Sequence, residues 1–209
     1  MVDGIDDAVK KALGGPKRNF EESVDLIFNL KNVDMAQPQN RISEDLILPN
    51  GHGRKIKICV FADGENALKA KDKADLVISS EELKKLGKDK KRVRVMAKEY
   101  DFFVAETPMM PTIGKNFGSI LAPRGKIPDP FPPGGDINQV LDRLKNIVRI
   151  RSKDTTFHVR VGKKTMSVEE ISENILAIIN RLESKLEKGK HNIASIYVKT
   201  TMGQVVKVV

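Results

Sequence analysis

The chain predicts an α/β fold in two domains. One is a split α+β domain made from both termini, residues 1–52 with 148–209. The other is an inserted doubly wound, Rossmann-like α/β domain, residues 53–147. Three observations lead there. Between about Arg54 and Ile147, short apolar runs alternate with helical patterns, as in a parallel sheet wound by helices. On either side, strands alternate apolar and polar residues. Neither flank has enough apolar surface to fold alone, so the two are expected to join.

Composition narrows the function. The 209 residues suffice for one large or two ordinary domains. Hydrophobic residues make up 40% of the chain, aromatics 5%, and Trp is absent, so Ile, Val and Leu must fill the core. The net charge of +9 favours an acidic partner, nucleic acid first. A basic enzyme fits the charge as well. The surplus is uneven: residues 1–52 hold 6 Lys and Arg against 9 Asp and Glu, 53–147 hold 19 against 13, and 148–209 hold 12 against 6. The first segment therefore needs specific contacts to hold a polyanion. The single cysteine, Cys59, excludes an internal disulfide and a cysteine-based zinc site, and K-I-K-I-C-V-F suits it as a buried filler. No secretory signal or long apolar run is read, so a soluble cytoplasmic protein without a membrane partner is expected.

The elements follow in order. Ile5 to Leu13 reads as an amphipathic helix ended by Gly14-Gly15-Pro16, with Asp6 and Asp7 at its positive end. Ser23 to Leu30 reads as a strand with Val24, Leu26, Phe28 and Leu30 inward, against a rival helix reading. Before it stand Lys17, Arg18 and Phe20, either a polyanion contact with a ring or a core Phe with two solvated cations. Val33 to Arg41 is a loop in which Pro38 bars regular structure, and Ile42 to Leu48 is a second strand. L-P-N-G-H-G then breaks the chain at the first domain crossing.

In the insert, Ile56–Phe61, Leu76–Ile78 and Phe102–Ala105 read as strands. Asn66–Lys73, Ser80–Leu86 and Val93–Lys98 read as helices. No G-x-G-x-x-G or P-loop pattern follows the first strand, and Ala62-Asp63-Gly64 reads as a plain turn. The cationic run Lys84 to Arg94, Lys88 included, is a solvated face or a non-specific RNA contact. Pro108 to Leu121 reads as a helix broken by Pro111 and Gly114. The proline-rich Leu121 to Gly135 reads as a stiff loop. Ile137 to Ile147 is an amphipathic helix, and the second crossing follows it. Two neighbouring crossings suit a hinge.

Phe157 to Val161 reads as a strand carrying His158 and Arg160 on one face, turned by Gly162-Lys163-Lys164. No second His or Cys gives His158 metal-ligand spacing, so no metal or cofactor is expected. Ser167 with Glu170 caps a helix to about Leu186, with Ile171, Ile175, Ile178, Ile179 and Leu182 as its buried stripe. Last comes S-I-Y-V-K-T-T-M-G, Ser195 to Gly203. Ile196, Val198 and Thr200 share one face; Tyr197, Lys199 and Thr201 share the other. Hydroxyls and backbone N–H groups bond phosphate and sugar oxygens, and a Gly admits a close backbone. An ordinary Thr-rich hairpin is the alternative.

This T-M-G segment resembles that of the large-subunit ribosomal protein family of the mobile side stalk, the L-one family, in its archaeal branch. A-P-R-G-K-I-P-D-P, from Ala122 to Pro130, resembles the family's G-P-R-G-x-x-P-x-P signature, with Ala122 replacing a Gly and implying no positive φ there. Gln204 stands where the archaeal pattern often has Pro. The resemblance implies binding of large-subunit ribosomal RNA through Arg18, Phe20, His158, Lys163, Ser195, Thr200, Thr201, Met202 and Gly203. It also implies a role in release of deacylated transfer RNA from the exit site, and repression of translation through the protein's own messenger RNA. The free protein is expected to be a monomer. The rival is a nucleotide- or methyl-donor-dependent RNA-modifying enzyme using the insert. It is disfavoured because no nucleophile–base pair, paired carboxylates or phosphate loop is visible. A non-specific basic RNA chaperone is a third reading.

Overall fold

The computed structural model describes residues 2–16, 18–35, 37, 40–87, 89–152 and 154–208. The features expected at Lys17, Pro38 and Lys88 lie outside these residues. The first stretch runs α1 (Val2–Leu13), β1 (Ser23–Leu30) and β2 (Ile42–Ile47). The middle runs β3 (Ile58–Phe61), α2 (Gly64–Ala70), β4 (Leu76–Ile78), α3 (Ser80–Leu86), α4 (Lys90–Glu99), β5 (Phe102–Glu106), α5 (Met110–Leu121), β6 (Asp129–Phe131) and α6 (Ile137–Lys145). The return runs β7 (Ile147–Ser152), β8 (Thr156–Lys163), α7 (Val168–Lys185), β9 (Ile193–Thr200) and β10 (Val206–Lys207).

The chain divides into two compact units, Met1–Arg54 with Asn146–Val209, and Lys55–Lys145. The first unit holds an antiparallel sheet in the order β10-β9-β1-β8 and a two-stranded sheet β2-β7. Ile147, expected at the end of a helix, instead pairs with Ile47 in β7, because α6 stops at Lys145. In β1 every second residue is buried, so Val24, Leu26, Phe28 and Leu30 face the core. There they pack in one apolar cluster with Ile5 and Val9 of α1 and with Ile171, Ile175 and Ile178 of α7. Phe28 stacks on Phe157 at 5.2 Å between ring centroids.

Helix α7 begins at a full capping box. Ser167 Oγ accepts from the Glu170 N–H, and Glu170 Oε2 accepts from the Ser167 N–H at 2.9 Å. Its fully buried Asn174 donates to the carbonyls of Gly51 and Val161 at 2.7 and 2.9 Å. It also accepts from the Asn50 N–H. One buried amide thus ties the loop after β2 to the helix and to β8.

The second unit is a parallel sheet in the order β4-β3-β5-β6. Every residue of β3 and β5 is buried, so helices must cover both faces. Cys59 sits in this core, fully buried, and burial pushes its thiol pKa up. Two expectations change here. Pro111 and Gly114 do not break α5: Pro111 lies in its first turn, where a missing N–H costs no helical bond. The proline-rich stretch is not all loop. Asp129–Phe131 forms strand β6 at the sheet edge, where Pro130 is tolerated. Ala122 keeps a negative φ of −61°, and the left-handed residue is Gly125 at +65°.

Candidate nucleic-acid interface

Strand β9 pairs with β1 so that Thr200 lies opposite Val24 and Lys199 opposite Asp25. Alternation sends Ile196, Val198 and Thr200 into the core. Ser195, Tyr197 and Lys199 go to the other face, half-buried. The inward turn of Thr200 corrects one expectation. Its side chain is fully buried, so its hydroxyl cannot meet a ligand at the surface.

Thr201 then leaves the strand at the rim. Its N–H donates to the Ser23 carbonyl at 3.0 Å, and its Oγ1 accepts from the Ser23 N–H at 3.1 Å. The two hydroxyls also lie 3.1 Å apart, and Arg160 donates to Ser23 Oγ at 3.2 Å. The Gly203 N–H closes a turn onto the Thr200 carbonyl at 3.2 Å. A Cβ at Gly203 would collide with Thr200 Oγ1, so the turn admits only glycine without rearrangement.

An ion pair between buried Glu22 and half-buried Lys164 holds this turn. The Met202 N–H donates to Glu22 Oε1 at 3.1 Å. Lys164 Nζ donates to Glu22 Oε2 at 3.0 Å and to the carbonyls of Gly15 and Pro16 at 3.0 and 3.1 Å. Glu22 is 3% exposed. Its pKa is lowered, first by the Lys164 hydrogen bond and then by the Met202 N–H. Thr200 adds a smaller share, although its hydroxyl makes no formed hydrogen bond. The consequence is a presented apolar tip: Met202 is 61% exposed and Phe20 53% exposed. Phe20, Arg18 and Asn19 line an open pocket of about 440 Å³ with Glu21, Glu22, Lys164 and Thr165.

The other expected residues lie on the same sheet. Lys163 is Cα partner of Ser23, but its ammonium is paired with Glu21 at 2.6 Å, so part of its charge is already compensated. His158 is exposed on β8, opposite Ile27. Ser195 accepts from Asn29 Nδ2 at 3.0 Å, and Asn29 Oδ1 accepts from the Thr156 hydroxyl at 2.9 Å, a polar row across three strands. The structure therefore gathers Thr201, Met202, Gly203, Phe20, Arg18 and Lys163 at one end of the sheet. It leaves Ser195 and His158 further along its outer face. Sequence reading missed Glu22, Lys164 and Ser23. Glu22 and Lys164 stand 142 positions apart, so no local pattern joins them.

Residues 9–204 match the model of the Ribosomal protein L1p/L10e family. The chain belongs to that family. It is 60% identical over 205 residues to the large ribosomal subunit protein uL1 of Methanocella arvoryzae, covering 97% of this chain and 96% of the relative. It is 54% identical over 212 residues to that of Methanothrix thermoacetophila, covering all of both chains. To that of Haloquadratum walsbyi it is 50% identical over 210 residues, 100% of this chain and 99% of the relative. The family match is thus to the archaeal type of L1 protein. L1p/L10e proteins are structural rather than enzymatic, which sets aside the methyl-donor reading of the insert. Membership gives the chain a structural role in the large ribosomal subunit. No helix among the described residues is long and apolar enough to cross a membrane.

Proposed function

We propose that the chain binds large-subunit ribosomal RNA at the mobile side stalk through the rim of its antiparallel sheet. Thr201 and the Gly203 backbone meet RNA oxygens, Met202 and Phe20 supply apolar contact, and Arg18, His158, Lys163 and Ser195 flank them. Recognition is by shape and sugar–phosphate contact. The same rim assists release of deacylated transfer RNA from the exit site, and it represses the protein's own messenger by binding a mimic of the ribosomal site. The observation that carries this reading is the exposed Thr201–Met202 tip of the turn, held by buried Glu22 and its partner Lys164. That arrangement fixes a tip before any ligand arrives, which lowers the ordering cost of binding.

Filter-binding titration of a large-subunit ribosomal RNA fragment tests it. Thr201→Val and Met202→Ala are expected to weaken binding by about tenfold each, the order of one lost contact, with the circular dichroism spectrum unchanged. Unchanged affinity in both variants defeats the reading.

A further inference from the structure

We propose that the open edge of β4, with the groove between it and helices α3 and α4, takes an extended acidic segment of a partner protein. The inference goes beyond RNA binding at the rim and does not depend on it.

The groove lies wholly within the inserted unit. Among the described residues β4 pairs with β3 alone, so its other edge keeps main-chain N–H and C=O groups for a further strand. Beside that edge runs an open groove of about 700 Å³. Leu76 and Val77 of β4, Leu86 of α3, Val95 and Met96 of α4, and Tyr100 give it an apolar floor. Leu76, Leu86 and Tyr100 are half-buried and pack on the core of the unit, so the fold itself fixes this floor. Val95 is the odd residue of α4. Val93, Met96 and Ala97 are buried beside it, yet it stands 60% exposed on a helix otherwise rich in cations. A lone exposed Val would carry no meaning. This one continues the floor of the groove.

Charge selects the occupant. Lys85 and Arg92 stand in the walls with Glu82, Asp89 and Glu99. Two of those acids are already engaged. Asp89 accepts from the N–H groups of Lys91 and Arg92 as the cap of α4, and Glu99 pairs with Lys57 at 2.9 Å. Lys91 and Lys98 lie four positions before and three after Val95, on the same side of the helix, and extend the cationic border. The segment that fits is therefore extended, acidic, and aliphatic at alternate positions. Its backbone continues the sheet from β4, its aliphatic side chains enter the groove, and its carboxylates meet the cations. RNA fits less well, because the floor is mostly aliphatic and holds one ring where a single strand calls for a series of them.

The full chain is titrated into a fluorescein-labelled peptide, Asp-Val-Glu-Val-Asp-Val-Glu, and binding is followed by anisotropy. Saturable binding is expected, weakened about tenfold by Val95→Asp and about fivefold by Arg92→Glu. Leu68→Asp makes the same change of charge at an exposed apolar position of α2 and is expected to stay within about twofold of the unaltered chain. No saturable binding up to about 1 mM overturns the proposal, and so does equal weakening by Val95→Asp and Leu68→Asp, which marks attraction by net charge alone. Arg92→Glu supplies the same test should Val95→Asp misfold. An eight-nucleotide oligouridylate that loses affinity in Val95→Asp, while the peptide does not, makes the groove an RNA site and also overturns it. Met202→Ala is expected to leave the peptide unaffected, and Val95→Asp to leave the ribosomal fragment unaffected, so the rim and the groove can each fail without the other.

Discussion

The two sheets of this molecule solve different problems. In the antiparallel sheet, β1 alternates buried and half-buried residues along its whole length. In the parallel sheet, β3 and β5 are buried at every position. One sheet leaves a face partly open to solvent; the other spends both faces on its own stability. The difference is visible in side-chain period alone. The proposed RNA face lies on the sheet that alternates, even though the inserted unit has the fold order more often tied to nucleotides.

The largest expected effect breaks the covered sheet. Val104→Asp places an unpaired carboxylate in the fully buried β5 and is expected to cost about 4 kcal/mol or more, read as loss of the unit's cooperative urea transition. Met202→Ala in the exposed turn after β9 is expected to move stability by about 0.5 kcal/mol or less while lowering affinity for the ribosomal fragment. Equal destabilisation by both would erase the distinction between the sheets.

A pair of glycines sharpens it further. Gly203→Ala drives a Cβ into Thr200 Oγ1 and is expected to cost about 1–3 kcal/mol and to weaken RNA binding. Gly114→Ala in α5 meets nothing within 4 Å and is expected to stabilise by about 0.5–1 kcal/mol. Thermal midpoints should shift in opposite directions.

The smallest effect is electrostatic. Glu22 and Glu65 both have lowered pKa values, the first from Lys164 and the second from Lys69. A carboxylate lowered on folding stabilises above its unfolded pKa, near 4.5, and loses that contribution as pH falls through the lower folded value. RNA affinity is therefore expected to hold through pH 4.5 and to fall only as pH drops through the lower folded value, where Glu22 is protonated and releases the Met202 N–H. Added salt should leave the hold of the 3%-exposed Glu22 largely intact but weaken the Glu65–Lys69 pair, which lies on the surface. Glu22→Gln should remove the pH response of binding, and Glu65→Gln should not.

Much of this was legible from residue pattern. The β1 alternation, the Ser167–Glu170 cap and the Ile171–Leu182 stripe appear as read, because each depends on neighbours within a few positions. Thr200 shows a limit: its hydroxyl suggested a ligand contact, yet strand period had already placed it with Ile196 and Val198 inside. β6 escaped notice because Pro130 argues against a central strand, and only its place at the edge permits it. Glu22 and Lys164 were invisible because chain distance hides their pairing.

One feature of the split unit reaches beyond equilibrium. Ser23 and Thr201 meet across 178 positions, and β1 lies between β8 and β9. During synthesis β1 therefore has neither neighbour until most of the polypeptide has emerged, whereas the inserted unit already has all its strands. A prematurely stopped translation product lacking β9 leaves β1 without one of its two neighbours and cannot form the Ser23–Thr201 closure.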